Sequence, residues 1–335
     1  MNGIVINILC KALRMKRAFD LLNFLASGLE YSGNDLAKSL GVTRAAIWNQ
    51  IKKLRDQGLS IVIGPNGGYV LETSYKGLDA EEIMRNLRGR GVDGVHCVVE
   101  PVVDSTNKRL FDGLTNEVSH GDALFAEYQT SGKGRRGDTW VSPPGSGICF
   151  SLCWFFDAPP STFSALSLVV GIVIVKRLES LGVIGLQLKW PNDIVRGDQK
   201  VAGILIEMRS ESAGICKTII GVGINFNLPE QVRKKIDRPT GDLGLQVNQK
   251  ITRNEIASEI LHGLSDELER FGRDGFDIFH SDWQRLDLLS GRQVRLELGE
   301  RDVVGKVSGV DRNGALLIQS DSGMESFLSG HLVIL

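Results

Sequence analysis

Three glycines and three cations fall within six residues of the segment Tyr128-Gln-Thr-Ser-Gly-Lys-Gly-Arg-Arg-Gly-Asp-Thr-Trp140. Glycines let backbone N–H groups approach a ligand and permit positive φ. Lys133, Arg135 and Arg136 add charge-assisted hydrogen bonds suited to phosphate or carboxylate. The stretch reads as a solvated turn, as a nucleotide motif, or as a mobile lid over a reactive acyl or phosphoryl group. Gly132, Gly134 and Gly137 satisfy G-x-G-x-x-G, but that motif needs a helix directly afterwards. Here Val141-Ser-Pro-Pro-Gly145 follows, and the prolines forbid one. The P-loop pattern also fails, because Gly134 stands after Lys133 where Ser or Thr is required. The turn and the lid remain.

Four further clusters bear on that choice. Asp104-Ser-Thr-Asn107 closes a predicted strand with short polar side chains that can cap a helix or hold a polar ligand. Lys189-Trp-Pro-Asn-Asp193 places a cation, an amide and a carboxylate at a strand end. Asp198-Gln-Lys-Val-Ala-Gly203 carries Lys200 from a turn into a strand. Gly221-Val-Gly-Ile-Asn225 puts glycines at another strand end, where a flat ligand could come close. Singly each is ordinary turn chemistry; together they are a set. No Ser-His-Asp or Cys-His arrangement points to a covalent enzyme intermediate.

The elements that must position these residues divide the chain in three: 1–75, 76–288 and 289–335. In the first part, Lys16 to Ala26 reads as a helix with Phe19, Leu22 and Ala26 at helical spacing. Ser32-Gly-Asn-Asp35 is a capping box by type and opens a second helix with Leu36, Ala37 and Leu40. Gly41-Val42 turns, and Thr43 caps a third helix running to Gly58. Ile47, Ile51 and Leu54 form its buried stripe. Ser60–Ile63 and Tyr69–Leu71 then pair around the turn Gly64–Gly68. This is the order of a winged helix-turn-helix. Residues 1–76 carry a net charge of +5 and the remainder −6, so only the front of the chain suits a polyanion. Thr43, Arg44, Ala45, Trp48, Asn49 and Lys52 are the expected DNA-contacting face. A tryptophan at position 48 is equally at home in a core.

The middle part predicts a helix from Asp79 to Leu87 and strands Val95–Val103, Ala123–Tyr128, Ile148–Phe156, Val201–Met208 and Lys217–Ile224. Helices are expected over Thr162–Leu181, Thr252–Phe271 and Asp274–Leu286. The glycine-rich loop therefore joins two neighbouring strands. From Ser290 short alternating segments, Val294–Leu298, Val303–Val310, Ala315–Gln319, Glu325–Leu328 and Leu332–Leu335, predict a small β-barrel. A unit of that size should lean on its neighbour. The fold class is thus α/β multidomain: a winged helix-turn-helix, a central mixed sheet with helices, and a small SH3-like barrel.

Composition narrows the function classes. With 42% hydrophobic and 24% charged residues the chain is ordinary for a soluble globular protein. Its longest apolar run, Leu168 to Val175, is too short to span a bilayer, so no membrane is expected. Cys10, Cys97, Cys149, Cys153 and Cys216 form no C-x-x-C pair and fit reduced thiols in the cytoplasm. The five histidines lack metal-ligand spacing, so zinc is not expected. Residues 1–14 read as a short arm or as lying upstream of a start at Met15, and make a poor signal peptide.

Taken together, Thr43-Arg-Ala-Ala-Ile47, Asp104-Ser-Thr-Asn107, Gln129 with Gly132-Lys-Gly-Arg-Arg-Gly137, Lys189-Trp-Pro-Asn-Asp193, Lys200-Val-Ala-Gly-Ile204 and Gly221-Val-Gly-Ile-Asn225 are similar to the bacterial biotin–protein ligases that double as biotin-operon repressors. The resemblance runs from about Met15 nearly to the end of the chain. It implies that ATP, with Mg²⁺, activates biotin as biotinyl-5′-AMP, and that a lysine of a biotin carboxyl carrier protein then takes the acyl group. It implies a biotin site at Ser105, Thr106, Asn107, Gln129, Gly132, Lys133, Gly134, Arg135 and Lys200. It implies a nucleotide site at Arg135, Arg136, Trp140, Lys189, Asn192, Gly221, Gly223 and Asn225. Lys200, Arg135 and Asp193 are the expected catalytic residues, with Asp193 also open to Mg²⁺ or to plain turn capping. The further partners it implies are operator DNA and a second copy of the chain once biotinyl-5′-AMP is bound. Ligation of another acyl group such as lipoate, or a DNA-binding sensor with an inactive ligase domain, are the alternatives.

The chemistry agrees with that resemblance. A carboxylate brought to a polyphosphate needs cations to offset repulsion, and a mixed anhydride must be shielded from water by a lid. Two departures from the family stand in the loop. Lys133 replaces a common arginine, and Asp138 a common cation.

Overall fold

The computed structural model describes residues 18–72, 75–210, 214–244, 251–299 and 301–335. The expected arm and its alternative start at Met15 lie outside them. The first helix, α1, is described over residues 18–25 and is followed by α2 (Gly33–Ser39) and α3 (Arg44–Asp56). Ser32 Oγ accepts from Asp35 N at 3.1 Å and donates to the Asp35 carboxylate at 2.7 Å, so cap and acid bond directly. Thr43 Oγ1 accepts from Ala46 N at 3.2 Å and starts α3. Ile47, Ile51 and Leu54, at i, i+4 and i+7, are buried against Leu21, Leu22, Leu25 and Leu36. Each such side chain contributes about 1.5–3 kcal/mol by leaving water. Ile51→Asp would undo this small core. Strands β1 (Ile61–Ile63) and β2 (Tyr69–Leu71) form the wing. Glu30 pins its tip, accepting from Asn66 N at 2.9 Å and Gly68 N at 2.7 Å.

Helix α4 (Ala80–Arg88), capped by Asp79, leads into the central unit. Its strands are β3 (His96–Val103), β4 (Asp122–Gln129), β5 (Gly147–Phe156), β6 (Gln187–Lys189), β7 (Asp193–Arg196), β8 (Gln199–Ser210) and β9 (Cys216–Asn225). They order as β3-β4-β5-β9-β8-β7-β6, antiparallel except for β3 with β4. Helices α6 (Leu166–Ser180) and α8 (Arg253–Asp274) cover one face. From Leu168 to Val175 α6 is apolar all round, because the sheet and α8 enclose it. On the other face sits α5 (Thr106–Gly113), with Leu110 and Leu114 over Leu124, Cys153 and Ile219. Strand alternation sends Ile220, Val222 and Ile224 to the α6–α8 core and leaves 219, 221, 223 and 225 on the α5 face. A short helix, α7 (Glu230–Arg233), follows β9.

Two helix starts differ from expectation. α6 begins at Leu166, because Pro159 and Pro160 hold residues Pro160–Phe163 in a 3₁₀ turn first. The helix expected from Asp274 is instead a 3₁₀ turn, Asp277–Phe279, and then α9 (His280–Leu286), because Gly275 at φ 74° ends α8.

The last unit is a five-stranded antiparallel sheet of β10 (Gln293–Glu297), β11 (Asp302–Val310), β12 (Leu316–Ser320), β13 (Gly323–Phe327) and β14 (His331–Ile334). Its order, β13-β12-β11-β10-β14, returns the last strand beside the first, as an SH3-like barrel requires. It leans on the centre as its size demanded. Trp190 Nε1 donates to Gly314 O at 3.0 Å, Ser164 Oγ donates to Asn313 O at 2.6 Å, and the two cores are continuous. The front unit's core packs against Val102 and Tyr128 of the centre, and just after the junction buried Arg253 donates to Lys76 O at 2.7 Å and to Glu127 Oε1 at 2.8 Å.

Candidate active site

The α5 face of the sheet holds a cavity of about 230 Å³. Its floor is made by the strands. Gly203 and Gly223 are cross-strand partners on β8 and β9, with Gly221 beside them opposite Leu205. A Cβ at Gly223 would lie 2.5 Å from Trp140 Cε2, and one at Gly221 2.0 Å from Asn107 Oδ1. Bare backbone is therefore a packing requirement here. The Trp140 indole packs against this glycine patch.

One wall is the start of α5. Ser105 is its N-cap, and Thr106 N donates to Gln129 Oε1 at 2.8 Å across to β4. Buried Ser151 on β5 lies 2.5 Å from Asn107 Oδ1 and 2.8 Å from Thr106 Oγ1. Asn107 Nδ2 donates to Glu207 Oε2 at 2.9 Å and Leu205 O at 3.2 Å. Thr106, Asn107 and Gln129 are thus tied into one hydrogen-bonded network.

The opposite wall is the glycine-rich loop, folded as a small hairpin between β4 and β5. Trp140 N donates to Gly132 O at 2.9 Å and Gly134 N to Asp138 O at 2.7 Å. A Cβ at Gly132 would meet Trp140 O at 2.5 Å, which requires glycine there. At the tip Arg136 and Gly137 both take positive φ, 55° and 83°. Arg135 donates to Asn192 Oδ1 at 3.3 Å. Burial, then the neighbouring Arg136, pushes the Arg135 pKa down, and Asp193 counters part of the shift. The guanidinium is held half-desolvated, as an anion would find it.

Lys200, on β8, closes the site. Its Nζ stands 2.5 Å from Asp193 Oδ1 and 5.8 Å from the Trp140 ring centroid. Asn192 is fixed by Nδ2 donating to Ile204 O at 2.7 Å. Trp190, joined to Pro191 by a cis peptide, is buried and anchors this segment to the last unit. Among the described residues lining the cavity, Lys133, Arg135, Arg136, Lys189, Lys200 and Arg238 face only Asp138 and Asp193 as carboxylates. This excess of positive charge suits a polyanion.

Every expected biotin- or nucleotide-site residue lines this cavity except Gly132 and Asn225. Gly132 sits at the base of the hairpin. Asn225 lines a smaller adjoining cavity of about 30 Å³ with Trp140, Lys200 and Arg238. Its Nδ2 is engaged by Gly241 O at 3.0 Å and Lys200 O at 3.4 Å. Sequence reasoning missed Ser151, Glu207, Arg238 and the last unit's Gly330 and His331. Arg238 lies in a stretch without periodicity. Ser151 was one position in an apolar strand, and only strand alternation could have aimed it at the site.

On the front unit, Thr43, Arg44, Ala45, Trp48, Asn49 and Lys52 are all exposed on one side of α3. Trp48 is 54% exposed, which removes it from the core, and Lys52 Nζ lies 5.7 Å from its ring centroid.

Comparison with known proteins agrees with each of the three units. The biotin/lipoate A/B protein ligase family matches residues 99–225, the biotin protein ligase C terminal domain 289–332, and an HTH domain 17–70. The bifunctional ligase/repressor BirA of Escherichia coli (strain K12) is 36% identical over 313 residues, covering 93% of this chain and 95% of that protein. Its Bacillus subtilis (strain 168) namesake is 29% identical over 311 residues, covering 92% and 95%. A solved biotin protein ligase from Aquifex aeolicus in complex with biotin and ATP superposes with a TM-score of 0.60 at 31% identity, covering 71% of this chain and 98% of that one. With its three units in order and that identity along nearly its whole length, the chain belongs to the family of bifunctional biotin–protein ligase/repressors.

Proposed function

We propose that this chain joins biotin to a lysine of a biotin carboxyl carrier protein at the expense of ATP, and that the acyl-adenylate it makes directs its winged helix to an operator. The observation that carries the reading is the cation-lined cavity between a glycine floor and a glycine-rich hairpin. In the first step a biotin carboxylate oxygen attacks the α-phosphorus of ATP. The bond to the β-phosphate oxygen breaks, and diphosphate leaves. Lys200 and Arg135 offset the repulsion between the anions and stabilise the charge that develops on the oxygens around the α-phosphorus. In the second step the carrier ε-amine, as the free base, attacks the acyl carbonyl. The carbonyl–phosphate bond breaks, AMP leaves, and the amine proton is lost to solvent.

Ser105, Thr106, Asn107, Gln129, Gly132, Lys133, Gly134, Arg135 and Lys200 hold biotin in this reading. Arg135, Arg136, Trp140, Lys189, Asn192, Gly221, Gly223 and Asn225 hold the nucleotide. Trp140 is the lid residue that shields the anhydride. Mg²⁺ enters with ATP as part of the substrate. Both carboxylates lining the cavity already face cations, Asp193 to Lys200 and Asp138 to Arg238, which favours phosphate oxygens as the ion's main ligands. The deciding assay supplies biotin or lipoate with Mg·ATP and a carrier domain, and weighs the product. Transfer of lipoate in place of biotin, or of neither, would refute the assignment.

The repressor half rests on the exposed α3 face and on the packing of the front unit's core, Tyr75 included, against Val102 and Tyr128 of the catalytic unit. The β3 edge of the central sheet, where Val98 is 55% exposed, is the surface on which a second copy would pair to match a palindromic operator. The protein works in the cytoplasm, where its carrier and operator are. Gel shifts with and without biotin plus ATP test the link, and equal operator affinity in both would remove it.

A further inference from the structure

Asp138 finds a partner that no motif announces. Its Oδ2 lies 3.3 Å from Nη1 of Arg238, with the side chains 57% and 38% exposed. Arg238 belongs to the segment after α7, and that segment is zipped onto the strand carrying Lys200. Lys200 N donates to Pro239 O at 3.0 Å, and Gly241 N donates to Lys200 O at 2.9 Å. The ion pair therefore closes a ring: hairpin, Arg238, Lys200 backbone and glycine floor. Both partners line the larger cavity, and Arg238 also lines the smaller one with Trp140, Lys200 and Asn225. A guanidinium offers five N–H donors in a planar fork, so it can hold Asp138 and still present donors to the cavity.

We propose that Arg238 is a further residue of the nucleotide end of this site, positioned by Asp138, and that the pair clasps the glycine-rich hairpin to the 238–241 segment. Within the site the negative charge of Asp138 holds a cation of the neighbouring segment against the hairpin. For its ligand this rests on the ligase reading; the clasp itself does not. Opening the clasp uncovers the anhydride to water, whereas the cations of the first step, Lys200 and Arg135, stay in place.

Two measurements on full-length protein test it, with D138N, R238Q and the double variant. Hydrogen exchange on ligand-free protein should quicken at Trp140 and Gly241 in either single variant, with the winged helix unchanged as an internal control of folding. Loss of preformed acyl-adenylate without acceptor should quicken about three- to fivefold in each single variant, near the ceiling for a half-exposed pair. The double variant should be no faster than the faster single one, because either substitution breaks the same contact. Unchanged exchange in both single variants, or effects that multiply in the double variant, would overturn the proposal. If the unaltered protein formed no adenylate, the ligase reading would fall while the exchange data still decided the clasp.

Discussion

Gly221→Ala is the sharpest test of the site's architecture. A methyl there would stand 2.0 Å from Asn107 Oδ1 and 2.7 Å from its Cγ, and ordinary contact begins at 3.4 Å. Asn107 would have to retreat by about 1.4 Å. It has nowhere cheap to go, since Ser151 holds its oxygen at 2.5 Å while Glu207 and Leu205 hold its nitrogen at 2.9 and 3.2 Å. Breaking two or three such buried hydrogen bonds, at about 1 kcal/mol each, costs roughly 2–3 kcal/mol. Because Thr106 and Gln129 belong to the same network, the loss falls on the biotin end. Biotin affinity by titration calorimetry should weaken about 30- to 150-fold, a factor of ten for each 1.4 kcal/mol. Gly221→Ala with Asn107→Ala removes the clash and should recover part of that loss. Biotin binding within twofold of the unaltered protein in Gly221→Ala would show that Asn107 yields freely, and the rigid wall would be wrong.

Three other outcomes follow from the same structure. Lys200→Met should lower biotin-dependent ATP–diphosphate exchange by roughly a thousandfold, about 4 kcal/mol for a unit charge close to the reacting phosphate at an effective dielectric near 20; a loss under tenfold would remove Lys200 from the chemistry. Arg253→Met strands Glu127, whose side chain is 5% exposed, and should destabilise the fold by about 3–5 kcal/mol in urea titration, with Glu127→Gln plus Arg253→Met less harmful than Arg253→Met alone. Burial pushes the thiols of Cys97 and Cys153 up to about 12, with Asp79 and Asp122 respectively adding to the rise. A raised pKa means less thiolate at any working pH, so native alkylation by iodoacetamide, read by mass spectrometry, should stay slow with no inflection between pH 7 and 10.

Much was legible in the linear order of residues because the interactions concerned are local. Thr43 and Asp79 cap the helices that follow them, and α3 buries its 3.6-residue stripe. Alternation in the last 45 or so residues announces short strands, and the prolines after Trp140 exclude a helix where a dinucleotide motif would need one. The helices expected from 162 and 274 start later for reasons equally local, two prolines and a positive-φ glycine whose effect depends on the turn actually adopted.

The tertiary structure decided what distance along the chain hides. Gly203 and Gly223 become one flat patch only through the β8–β9 register, and Ser151 reaches the site only because alternation on β5 turns it toward α5. Trp48 could have been core or surface by composition, and packing of Ile47 and Ile51 beneath it left it outside. Asp138 read along the chain merely makes the glycine-rich hairpin less basic. Its pairing with Arg238, 100 residues away, arises because backbone bonds to Lys200 carry that arginine to the cavity mouth. Residue types and spacing determined the chemistry available to this protein, and long-range strand pairing determined which of those groups meet.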